Sequence, residues 1–219
     1  MEKQQRGKEG GASALRGVLR IGVVSINDLR AALERSKEAS ITIEFAGKDI
    51  TFTRHTNPDG SSVGWKAKAD TESVDPTATL GRGTIVMPDA TIGPYATIGP
   101  DATIDEGATI APDATIGRDV TIAPGARIDP RATIDEGATI GPYASIGPYA
   151  TIGPDATIDE GATIGPGAII RDGATIGPGA KIGDLASIGR GATIGRGDKI
   201  GARVHIAQGD TVPDGSRVT

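Results

Sequence analysis

The chain has 219 residues, with 33 Gly and 14 Pro but only two Phe, three Tyr and one Trp, so a globular core built on aromatic anchors is excluded. It has no Cys, which removes disulfides, thiol catalysis and zinc–thiolate sites together. The net charge of −5 is uneven, with +2 over residues 1–73, −9 over 74–180 and +2 over 181–219, and an acidic middle argues against nucleic acid as a partner.

In chain order, residues 1–11 read as a flexible polar tail with no apolar stretch of the kind a secretory signal needs. No run approaches the roughly 18 apolar residues of a membrane span, so a cytoplasmic protein with no membrane partner is expected. Leu15, Leu19, Ile26, Leu29 and Leu33 fit helical spacing, interrupted at Gly22. Ser25 and Asp28 have the form of a capping box, which predicts a helix over about 26–38 and a helix or strand over 13–23. Ile41, Ile43, Phe45, Ile50, Phe52, Val63 and Trp65 then alternate onto one face, with "AGK" and "NPDG" as turns. This predicts a three-stranded antiparallel sheet packed on the helix. Residues 12–70 are thus expected to form an α+β module that caps the C-terminal part of the chain or joins subunits.

From Val74 to Val218 an aliphatic residue recurs every six positions without a slip, through twenty-five hexads. Ala sits two positions before it in most hexads, usually with Thr between, as in Ala138, Thr139 and Ile140. In an extended strand Ala and Ile point to one side and Thr to the other. The remaining three positions hold turn chemistry such as Gly-Pro-Tyr or Asp-Glu-Gly. A short strand and a corner every six residues make a polygonal coil, so residues 71–219 are predicted to be a β-solenoid. At the C-terminus Asp198, Asp210 and Ser216 replace the inward Ala and read as a polar stop or an interface.

The hexads resemble the hexapeptide-repeat family over residues 74–219. The resemblance implies a left-handed parallel β-helix with three faces and 18 residues per coil, so the expected class is mainly β, with the small α+β module in front. It also implies association with itself, as a homotrimer or higher assembly. Many members are acyltransferases that work between neighbouring solenoids with a histidine as general base. His205, in an outward position otherwise held by Thr, is the candidate catalytic residue. The family's three-histidine zinc branch does not fit a chain with two His, and no metal or other cofactor is expected.

Other candidates are surface features. Thr103, Thr121, Thr139, Thr157, Thr175 and Thr193 fall 18 apart and form a threonine ladder, which suggests ice binding, although only one file runs along the face. Tyr95 and Tyr149 share a corner three coils apart and Tyr143 lies on another; with Ile85, Ile169 and Trp65 they are possible subunit contacts. With no insertion anywhere in the hexads to wall a pocket, the leading expectation is a non-catalytic structural scaffold, a rigid self-associating solenoid. A hexapeptide-repeat acyltransferase and an ice-binding protein are the alternatives.

Overall fold

Alternation of outward Thr and inward Ile gives two-residue strands, from Thr79–Leu80 to Arg217–Val218. A computed structural model describes residues 18–23, 25–45, 48–68 and 73–219. The tail expected over 1–11, Leu15 and the Ala46–Gly47 turn lie outside the described residues. Each short strand pairs in parallel with the strand 18 residues on, as Thr121 with Thr139 and Ile122 with Ile140. Every third strand therefore joins the same sheet, and three parallel sheets wrap a solenoid of about eight coils. We call face A the sheet through Thr103 and Thr121, face B the one through Thr109 and Arg127, and face C the one through Thr115 and Thr133.

The corners are tight turns. At Gly93–Ala96 the Ala96 N–H donates to the Gly93 carbonyl at 3.4 Å, Pro94 holds the second position, and Tyr95 has φ +59°. Proline second and a left-handed residue third define a type II turn. Inside, Ala138, Ile140, Ala144 and Ile146 are all 0% exposed. Each buried isoleucine contributes about 1.5–3 kcal/mol relative to exposure, and no inward position from Ala90 to Ile194 breaks the apolar column.

The N-terminal elements are β1 (Val18–Val23), α1 (Ile26–Arg35), β2 (Ser40–Phe45), β3 (Lys48–His55) and β4 (Gly64–Ala67). Ser25 Oγ accepts the Asp28 N–H at 3.2 Å, which is the predicted cap. The helix ends three residues before expectation because Ser36 turns extended and its carbonyl accepts from the Arg54 guanidinium at 3.1 Å. Strands β2, β3 and β4 are antiparallel, as the alternation predicts. Two pairings go beyond that expectation. β1 pairs in parallel with β2, and β4 pairs in parallel with Ile85–Val86, so the module continues face A as one 12-stranded sheet.

That continuation fixes the first coil. Trp65 lies opposite Ile85, and both join Leu29, Leu33, Ile43 and Phe52 in a second core. Ile85 and Trp65 are 0% and 1% exposed, so neither is the subunit contact expected of it; the chain covers them itself. Arg30 on α1 donates to the Gly83 carbonyl at 3.1 Å and to Thr103 Oγ at 3.0 Å. On face C, the Asn57 side chain bonds both backbone groups of Leu80, and His55 Nε2 lies 2.9 Å from the Ala78 carbonyl. On face B, Val74 bridges to Ile92.

At the other end, Asp198 is fully buried, and its carboxylate accepts the N–H groups of Gly195 and Ser216, both at 2.7 Å. It is a satisfied interior group, whereas Asp210 is exposed.

Candidate functional site

His205 opens the strand His205–Ile206 on face C, with its side chain outward and exposed where most hexads carry Thr. Its ladder partner is Ser187, whose own partner in the opposite direction is Ile169. The Ser187 hydroxyl is buried and has no hydrogen-bond partner. Parallel neighbours stand roughly 4.8 Å apart, so the imidazole lies one rung from an unsatisfied hydroxyl. Arg203, at the preceding corner, has φ +60°, and Lys199, one hexad back, stacks between Lys181 and Arg217 on face B. A cationic edge thus borders the histidine, with no ion pair to Lys181, Lys199, Arg203 or Arg217 among the described residues. His55, the other histidine, is 3% exposed and belongs to the cap.

The tyrosines project from corners. Tyr95 and Tyr149 stand 66% and 60% exposed on the edge between faces B and C, and Tyr143 stands on the edge between A and B. Arg131 is on the first of these edges; its Nη1 donates to the Tyr149 hydroxyl at 2.7 Å, and its guanidinium lies 5.6 Å from the Tyr149 ring centroid. The same edge carries Leu185, also exposed, and Ile169 faces out from face C beside it. Sequence reasoning missed Leu185 because its hexad reads as an ordinary corner. The signal was its position, 36 residues after Tyr149 and so on the same edge.

The threonine ladder is formed on face A by Thr103, Thr121, Thr139, Thr157, Thr175 and Thr193 in register. Thr103 is 5% exposed because Arg30 covers it. The remaining rungs form a single file.

A cleft of about 280 Å³ lies between the module and the first coil, lined by Glu34, Arg54, Val63, Trp65, Arg82 and Gly83. The Arg54 guanidinium stacks 4.3 Å over the Trp65 ring. This cleft is about 34 Å from His205, seven rungs at roughly 4.8 Å each, so it cannot serve the histidine of the same chain. Among the described residues no group of three or more His, Cys, Asp or Glu converges as a metal site, and no helix is long and apolar enough to cross a membrane.

Likeness to known proteins lies in the repeat. The family model for the bacterial transferase hexapeptide (six repeats) matches residues 95–130, 119–154, 137–172 and 161–197. Among solved structures, LpxA from Acinetobacter baumannii is similar over 65% of this chain and 70% of its own, at 16% identity and a TM-score of 0.51. The Francisella novicida UDP-N-acetylglucosamine acyltransferase covers 63% of this chain and 66% of its own, at 17% identity and a TM-score of 0.43. The Caulobacter crescentus GDP-perosamine N-acetyltransferase, in complex with CoA and GDP-perosamine, covers 70% and 55%, at 19% identity and a TM-score of 0.32. No curated protein matches the chain in sequence. The repeat match overturns the expectation of a non-catalytic scaffold, because the matching family model is one of bacterial transferases.

Proposed function

The chain belongs to the hexapeptide-repeat family of left-handed parallel β-helices, and from that premise we propose that it is an acyltransferase. It moves an acyl group from a thioester donor, coenzyme A or an acyl-carrier protein, to a hydroxyl or amine of an acceptor, for which a nucleotide sugar is the model. The observation that carries the reading is the transferase repeat match running from residue 95 to residue 197.

His205 is the general base in this reading. It is the one solenoid histidine, it is exposed, and the other histidine is enclosed in the cap. Its ring takes the proton of the acceptor O–H or N–H as that atom attacks the thioester carbonyl. The carbon–sulfur bond then breaks, and the imidazolium returns the proton to the thiolate. In this reading the Ser187 hydroxyl, buried and unbonded one rung away in this structure, is a positioning residue that turns to the other ring nitrogen once substrate engages His205. Lys199, Arg203 and Arg217 border the site with positive charge for phosphate-bearing substrates.

A single solenoid offers His205 no enclosing wall. The protein therefore works as a homotrimer in the cytoplasm, with the reacting groups between adjacent copies. Residues 12–70 cap the first coil and 71–219 form the catalytic solenoid, a division supported by the pairing of β4 with Ile85–Val86 and of Asn57 with Leu80. The test incubates the full chain with acetyl-CoA and either UDP-N-acetylglucosamine or an amino-sugar nucleotide, and follows the acceptor by mass spectrometry. Acetylated acceptor is expected; unmodified acceptor with both acetyl-CoA and an acyl-carrier donor would overturn the reading.

A further inference from the structure

The cleft between the module and the first coil holds charge of both signs that does not meet. Glu34 and Arg54 reach it from the module and Arg82 from the solenoid's first corner, with Val63, Trp65 and Gly83 completing the lining. Elsewhere Arg30, Arg118, Arg127, Arg131 and Arg190 each pair with a carboxylate. Among the described residues the side chains of Glu34 and Arg82 have neither an ion pair nor a hydrogen bond, and Arg54 has no carboxylate partner. An open space thus separates a carboxylate from two guanidinium groups that line the same walls.

The surroundings hold these groups in place. The Arg54 guanidinium lies 4.3 Å over the Trp65 ring, and it donates to the Ser62 carbonyl at 3.4 Å and the Ser36 carbonyl at 3.1 Å. Two of its five N–H groups are used, so a fixed planar fork still has donors to offer a carboxylate. On the other side, Arg30 pairs with Asp101 at 3.9 Å, which leaves Glu34 as the cleft's own anion. An ideal Cβ on Gly83, where φ is +73°, would strike the Asp101 carboxylate and stand 3.5 Å from Glu34 Oε1. The glycine therefore keeps this end of the cleft open.

We infer that the cleft is a binding site for a free α-amino acid with an apolar side chain. The ligand carboxylate meets Arg54 and Arg82, its ammonium meets Glu34, and its side chain lies against Val63 and Trp65. Volume and charge select this class. At about 280 Å³ the cleft is below the range of sites for drug-sized ligands, so it admits a small metabolite rather than a nucleotide sugar or coenzyme A. A simple anion would satisfy the arginines but face the Glu34 carboxylate, whereas a zwitterion satisfies both signs at once. The site spans module and solenoid, so its ligand also ties the cap to the first coil. Nothing in this inference depends on acyl transfer.

Trp65 is the single tryptophan of the chain, so its fluorescence reports on the cleft directly. The test titrates the full chain with L-leucine and L-phenylalanine, and with isocaproate and isoamylamine, which lack the ammonium and the carboxylate respectively. Thermal unfolding with each compound is the second readout. We expect a saturable fluorescence change and a raised unfolding midpoint with an amino acid, and binding about 10-fold or more weaker for both analogues. Glu34→Gln, at an exposed helix position, should weaken the amino acid about 10-fold or more without weakening isocaproate. Arg82→Gln should weaken both. Isocaproate bound as tightly as leucine would make the cleft a plain anion site and overturn the inference. Unchanged amino-acid affinity in either variant would overturn it too, as would the absence of any fluorescence or midpoint response to both amino acids.

Discussion

Asn57 stands in for a strand at the edge beside Leu80. Its Nδ2 donates to the Leu80 carbonyl at 2.9 Å, and its Oδ1 accepts the Leu80 N–H at 2.8 Å. An open strand edge otherwise invites pairing with another chain, and here one buried amide closes it. Asn57→Ala leaves two buried backbone groups without partners, at about 1–3 kcal/mol each. We expect a loss of roughly 2–6 kcal/mol, read as a lower denaturant midpoint; a midpoint unchanged from wild type would show that the edge needs no cap.

Ile140 tests the quasi-one-dimensional character of the solenoid. It is fully buried, and its strand pairs with the rungs before and after it on the same face. Ile140→Ala should cost about 2–5 kcal/mol, and Ile140→Asp, which puts a carboxylate into the column, should uncouple the coils on either side. Hydrogen exchange should quicken around residues 122–158 and leave the cap protected. Uniform loss of protection along the chain would contradict this.

Most of the solenoid was legible because each position answers one local demand. Ile faces in, Thr faces out, and Pro followed by a residue of positive φ turns the corner, so a period of six implies a polygonal coil; that it has three sides came from the family resemblance, and the pairing of strands 18 residues apart bears it out. The cap was read only in part. Alternation gave the antiparallel strands, but nothing local in the sequence says that Trp65 lies opposite Ile85 or that an Asn side chain replaces a strand, because both depend on which rung the module meets. The candidate base was legible as a break in the threonine file. The unsatisfied Ser187 hydroxyl was not, since Ser145 and Ser187 look alike in the repeat and differ only in their neighbours. The scaffold expectation failed for a related reason: identical coils suggested a rod without chemistry, whereas the same repeat matches a model of bacterial transferases.

Ser187 separates stability from activity. A buried hydroxyl without a partner costs about 1–3 kcal/mol, so Ser187→Ala should raise the unfolding midpoint. As a positioning residue for His205 it should at the same time lower kcat with little change in KM. A lower midpoint, or unchanged kcat, would remove it from the site.

Acid should weaken the first coil. The Thr77 hydroxyl and N–H donate to Asp75 and hold its carboxyl below the ordinary carboxylate range, and Ser61 does the same for Asp59. A carboxyl with a depressed folded-state value adds stability that is fully present above about pH 4 and is lost as pH falls through that value. Burial pushes Asp105 up, so its protonation works in the opposite sense. Midpoints measured from pH 7 to pH 3 should fall less steeply in Asp59→Asn/Asp75→Asn than in wild type; equal slopes would contradict the assignment.

The most direct test of the account is thiol release from acetyl-CoA by the assembled full chain in the presence of acceptor, wild type against His205→Ala. The account predicts acceptor-dependent turnover that falls by about 100-fold or more without its general base, with circular dichroism and sedimentation unchanged. Turnover that survives in the variant, or none in wild type, would contradict it.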